Sequence, residues 1–182
     1  MVGATMPSVK QLRPFALATL EAFLEATGPV VLVQQPPEPV FQQVALRLNE
    51  ARTVGMAHRS RLVDRLIIML KGFDALEVHF LQPHEDGQQL TVGRIEGCTL
   101  VVPDPSVSKH HATLRWHARQ GDCSVRDGGS MNGTWLNATA LGPEQEAMLH
   151  DGDALAFGDA QFLYLRTETL HAHLRMASPG AR

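Results

Sequence analysis

Over residues 76–166 the chain is a succession of short strand-like runs cut by glycine, aspartate and proline turns. Residues 77–81 alternate apolar and polar, and a polar turn follows at 83–87. Further runs come at 89–92, 98–102, 112–117, 123–127, 134–136, 154–157 and 161–166. A sheet built from such runs buries one face and needs a second layer to cover it. The pattern therefore predicts an antiparallel β-sandwich. Turns between successive strands gather at the ends of a sandwich, where polar residues distant in sequence can meet.

The rest of the chain follows a different rhythm. Residues 14–27 place Ala16, Leu17, Leu20, Phe23 and Leu24 at helical spacing, with Pro14 in the first turn and Gly28-Pro29 as the stop. Val30-Val31-Leu32-Val33 suits either a lone strand or an apolar strap, and periodicity leaves both open. A proline-containing linker at 34–38 leads to two further helical patterns, 39–53 and 58–71, separated by Gly55 and closed by Gly72. A short helix is expected at 169–177, with Leu170 and Leu174 one turn apart. The expected fold class is α+β: a helical segment at 1–75, a β-sandwich at 76–166, and a helix and tail at 167–182. Short helices rarely bury such faces alone, so these must pack on one another, on the sandwich or on a partner, and the segment is expected to contact a second protein or to self-associate.

Charge narrows the list of partners. Residues 1–75 hold eight Lys/Arg against six Asp/Glu, whereas residues 76–182 hold eight against thirteen, within a net charge of −3. An acidic sandwich is a poor general partner for nucleic acid. An anion bound there must be held by a local pocket rather than by the overall field. No apolar run approaches the roughly 20 residues that cross a bilayer, and the N-terminus lacks the apolar stretch of a signal peptide. A cytoplasmic protein without a membrane partner is expected. Cys98 and Cys123 lie in strand-like runs and read as buried free thiols.

Three polar islands stand on the turns: Gly93-Arg94, Ser108-Lys109-His110-His111 and Asn132-Gly133-Thr134. A guanidinium offers forked donors to phosphate oxygens and stays charged at any relevant pH. Ser108 and the backbone N–H groups around Lys109 can take further oxygens. The Asn132 amide has both a donor and an acceptor, as a peptide backbone requires. Such a set suits a phosphorylated peptide.

The stretches TVGRIEGCTLVVPDPSVSKHHATLRW, VRDGGSMNGTWLN and DGDALAFGD keep the ordered signature G-R, S-x-x-H, N-G-T and a late G-D…F-G. Together they resemble the forkhead-associated (FHA) domain over about residues 76–166. The resemblance implies a sandwich of about eleven strands that binds phosphothreonine peptides through loops at one end. It implies that Arg94 and Ser108 contact the phosphate, that Lys109 adds charge or a backbone N–H, and that Asn132 holds the peptide backbone. Gly93, His111 and Gly133 would build the loops. Met131 departs from the family, where threonine or serine is common; the missing hydroxyl would either weaken binding or reshape the pocket, and Met131 so enters the candidate binding set. Ala138 replaces a common glycine in the turn after Leu136.

Other chemistries fit less well. His110-His111 are adjacent and, in a strand, would face opposite ways; His171 and His173 do not share a helix face, so no metal site is expected. Ser108 and His111 lack the setting of a nucleophile elbow, and Gly128-Gly129 lacks the lysine and helix of a nucleotide loop. No catalytic residue or cofactor is expected. The expected function is a non-catalytic phosphothreonine-binding adaptor in Ser/Thr kinase signalling. Two alternatives remain: a phosphate-independent scaffold with a vestigial pocket, and a DNA-binding regulator using the arginine-bearing helices at 39–71 with the sandwich as its sensor.

Overall fold

The computed structural model describes residues 7–35 and 75–177. The helices expected at 39–53 and 58–71 lie outside the described residues. The N-terminal part folds as a one-turn helix α1 (Val9–Leu12), a 3-10 turn (Arg13–Leu17) and helix α2 (Leu20–Thr27). The continuous helix expected over 14–27 is therefore interrupted. Ala18 is extended, with ψ 162°, and the Thr19 hydroxyl caps α2 by accepting the Ala22 N–H at 3.3 Å. A threonine at this position satisfies an N–H that a continuous helix would bond within itself. Gly28 ends α2 as its C-cap, at φ 81°.

Eleven strands form the two sheets among the described residues. They are β1 (Val30–Gln34), β2 (Val78–Leu81), β3 (Gln89–Gly93), β4 (Leu100–Val101), β5 (Ala112–His117) and β6 (Asp122–Asp127). After them come β7 (Thr134–Leu136), β8 (Thr139–Ala140), β9 (Glu146–Met148), β10 (Ala154–Phe157) and β11 (Ala160–Arg166), and helix α3 (Thr167–Ala177) follows directly. The six-stranded sheet runs β2-β1-β11-β10-β7-β8 and the five-stranded sheet β4-β3-β5-β6-β9. Every pairing is antiparallel except β3 with β4.

The undecided run Val30–Val33 is a strand, and it lies inside the sheet. Val31 pairs with Leu165 on one side and Phe80 on the other. It stands upstream of the 76–166 span expected for the sandwich, yet it is one of the sheet's inner strands. Val30 and Leu32 join the core between the sheets, while Val31 and Val33 face a second apolar layer. That layer consists of Val9, Leu12, Ala16, Phe23, Leu170 and Leu174, packed on Val78, Leu163 and Leu165. A strand buried on both faces has no reason to alternate. Helices α1, α2 and α3 thus cap the β2-β1-β11 half of the outer face.

The inter-sheet core is led by Phe157, Phe162, Tyr164 and Leu114, all fully buried. Its polar exception is satisfied: the Cys123 N–H donates to the Tyr164 hydroxyl at 2.8 Å, and buried Asp122 is paired with Arg166. Both cysteines are buried free thiols. Burial pushes the Cys123 thiol up to about 12, which makes it a packing group rather than a nucleophile.

Candidate functional site

At one end of the sandwich the register brings Val92, Ala112 and Asp127 side by side. The loops after β3, before β5 and after β6 therefore leave from neighbouring positions. Gly93 sets how closely the first two approach. A Cβ there would stand 2.0 Å from the Lys109 carbonyl oxygen and 2.8 Å from Cys98 Sγ, so only glycine fits without moving backbone. The two loops are then joined by Arg94 N–H donating to the Ser108 carbonyl at 3.0 Å and His111 N–H to the Val92 carbonyl at 2.8 Å.

His111 is the hub of the cluster and is fully buried. Its Nδ1 accepts the Ser108 N–H at 3.0 Å, which leaves Nε2 to carry the proton and donate to the Gly133 carbonyl at 3.0 Å. One neutral ring therefore ties the second loop to the third. Burial lowers its pKa from the ordinary imidazole value, against the Gly133 bond and the Asp127 charge, which both act upward. The ring also meets Phe157 edge-on, centroids 5.6 Å apart, so the loop hub rests on the core.

Asp127 organises the third loop. Its carboxylate accepts from the Ser130 hydroxyl at 2.6 Å, the Thr134 hydroxyl at 2.7 Å, and the N–H groups of Gly129 and Ser130 at 2.8 and 2.9 Å. Burial alone would raise its pKa, but these four donors hold it below the usual carboxylate value. The Ser130 hydroxyl oxygen in turn accepts the Gly133 N–H at 2.9 Å, and Gly133 sits at φ 79°.

Arg94 is exposed, and its guanidinium makes no hydrogen bond or ion pair among the described residues. The Ser108 hydroxyl accepts the Met131 N–H at 3.0 Å, so its own proton remains available to a ligand. Lys109 and His110 are exposed, and neither backbone N–H has a partner among the described residues. Their two-residue stretch lies ahead of β5, not within it. The Met131 side chain is 89% exposed at the same rim. Asn132 Nδ2 donates to the Ser106 carbonyl at 2.7 Å, which fixes the amide while leaving its oxygen and second N–H free. The loops thus gather Arg94, Ser108, Lys109, Met131 and Asn132 at one end, with Gly93, His111 and Gly133 beneath them. Donors predominate, and an oxyanion is the ligand such an array can hold.

Sequence reasoning did not single out Ser106, Asp127, Ser130 or Asp159. Ser106 links the second loop to two others, because its carbonyl takes the Asn132 amide and its hydroxyl takes the Asp159 N–H at 2.9 Å. The spacing Asp127-Gly-Gly-Ser130 was a readable turn signature; the others carry no local signal. Among the described residues no group of three His, Cys, Asp or Glu could hold a metal ion. No helix there is long and apolar enough to cross a membrane.

Comparison with known proteins falls on the same stretch. Residues 90–158 match the family model of the FHA domain. An FHA domain-containing protein of Arabidopsis thaliana is 38% identical over 77 residues, which cover 42% of this chain and 19% of that protein. Human kanadaptin is 34% identical over 82 residues, covering 40% of this chain and 11% of its own. The chain thus spans about a fifth or less of the length of these relatives. A solved structure from work on phosphothreonine-dependent FHA domain interactions aligns at 27% identity and TM-score 0.42, over 49% of this chain and 83% of its own. The family match falls on the sandwich and its three clustered loops, and what is shown is that residues 90–158 of this chain match the FHA domain.

Proposed function

We propose that the chain is a non-catalytic adaptor that binds phosphothreonine on a partner modified by a Ser/Thr kinase. One observation carries the reading: unpaired donors from separate loops meet at one rim. Arg94 supplies the charge, Ser108 supplies a hydroxyl proton whose oxygen is already engaged by Met131, and Lys109 and His110 supply free N–H groups. Asn132, braced by Ser106, is placed to pair with the backbone beside the phosphorylated residue. The test is retention of a degenerate phosphothreonine peptide library by the full chain, with phosphoserine and unphosphorylated libraries in parallel. Retention is expected to require phosphate and to favour threonine. Equal retention of the unphosphorylated library refutes the reading and favours the phosphate-independent scaffold.

The helical cap supports the second half of the adaptor reading. Phe15 and Leu17 are 60% and 82% exposed, and Leu20 and Met176 line a shallow groove of about 660 Å³ beside α3. Exposed apolar groups concentrated on one cap favour contact with another protein or another copy of the chain. Sedimentation velocity separates the two. Concentration-dependent dimers that become monomers in Leu17→Glu are expected for self-association, and monomers throughout rule it out.

A further inference from the structure

The helices cap only one half of the outer face of the six-stranded sheet. On the other half, Leu155 and Phe157 point into the core, so Ala154 and Ala156 of β10 face outward. Ala156 pairs with Trp135 on β7 and with Gln161 on β11. Small residues flanked by a large ring make a groove of about 630 Å³, lined by Asn132, Trp135, Ala138, Ala154, Ala156 and Asp159 among others. Trp135 is 40% exposed, and its indole N–H is held by the Asn132 carbonyl at 3.2 Å, which fixes the ring as a wall.

Two features say what would lie there. The first is continuity. Asn132 lines the groove and belongs to the peptide-binding rim, and Ser106 connects Asn132 to Asp159 through its carbonyl and hydroxyl. Gly158 allows this contact, since a Cβ there would fall 2.6 Å from the Ser106 carbonyl oxygen. A chain leaving the phosphate site past Asn132 enters the groove directly. The second is charge. The lining contains no lysine or arginine, whereas Asp159 is exposed and its carboxylate has no partner among the described residues. The phosphate end is cationic; the groove has an alanine floor, amide side chains from Asn132, Asn137 and Gln161, and one carboxylate at its rim.

We propose that this groove is a second contact for the phosphorylated partner and selects a basic residue, arginine ahead of lysine, in the segment flanking the phosphothreonine. The inference rests on the phosphothreonine reading above. An arginine stem would cross the alanine floor, its guanidinium would stack on Trp135, and its charge would meet Asp159. The partner would then match the domain with opposite charges at its two ends, which fixes the direction of the bound chain.

The test uses the full chain and a library with a fixed phosphothreonine and randomised flanks, followed by a matched pair of peptides with Arg or Ala at the enriched position. Enrichment of arginine at one fixed position is expected, with the Arg peptide about 5-fold tighter than the Ala peptide. That ratio should fall to near one in Asp159→Asn, shrink in Trp135→Ala and invert toward a Glu peptide in Asp159→Lys. Phosphate-dependent binding without a basic preference overturns the groove assignment alone, as does a preference unchanged in Asp159→Asn. No phosphate-dependent binding by the wild type overturns the groove and the phosphothreonine reading together.

Discussion

Arg94→Ala is expected to weaken phosphothreonine-peptide binding roughly 150-fold, equivalent to about 3 kcal/mol. The magnitude follows from what is removed: a forked, permanently charged donor to a bound dianion. Stability should scarcely change, by less than about 0.5 kcal/mol, because the guanidinium has no protein partner among the described residues. Arg94→Lys should fall between the two, since it keeps the charge and loses the fork. Calorimetric titration with one phosphothreonine peptide, paired with thermal melts, separates binding from folding. An Arg94→Ala protein that binds as tightly as the wild type would show that the phosphate is held elsewhere.

The second large effect concerns His111, which no ligand needs to touch. His111→Leu fits the volume but leaves the Ser108 N–H and the Gly133 carbonyl without their bonds to the ring. Both groups are half-buried, and each group left unpaired costs about 1–3 kcal/mol, so a loss of about 3 kcal/mol for the two together is expected in denaturant unfolding. Peptide binding should fall as well under conditions where the variant remains folded, because the second and third loops are no longer tied. A variant of normal stability and affinity would show that the ring is not the hub.

Acid should act through the same kind of group. Burial lowers the pKa of both His111 and His79, the latter to about 4. Both folded values lie below the unfolded value near 6.5, so the unfolded chain takes up the protons first. Stability is therefore full above about pH 6.5 and is lost as pH falls toward the folded values. For His79 alone the loss approaches roughly 3 kcal/mol near pH 4. Asp127, also lowered, pulls the same way only at more acid pH, below the ordinary carboxylate value near 3.8. Denaturant midpoints at pH 7.5, 5.5 and 4.5 should fall steadily, and a flat profile contradicts these assignments.

Much of the sandwich was legible because half-buried antiparallel strands alternate. The strands at 112–117, 134–136 and 154–157 fall where the pattern placed them. β1 was not legible as part of the sandwich for the opposite reason, since covers on both sides leave four apolar residues without a period. β8 and β9 escaped because they are short and largely exposed, with little apolar signal to read. The break before α2 was written in Thr19, a capping residue hidden inside an otherwise continuous helical stripe. In the site, the charged and amide groups were readable from their order along the chain. Ser106 and Asp159 were not, because their contacts span 26 and 53 positions and depend on the fold to meet.

The measurement closest to the central claim is an amide chemical-shift titration of the full chain with a phosphothreonine peptide and with its unphosphorylated twin. Phosphate-dependent shifts are expected at Gly93 and Arg94, over residues 106–111 and over 130–133, while α2 and α3 stay still. Shifts confined to the helical cap, or identical with both peptides, would contradict phosphothreonine recognition by these loops.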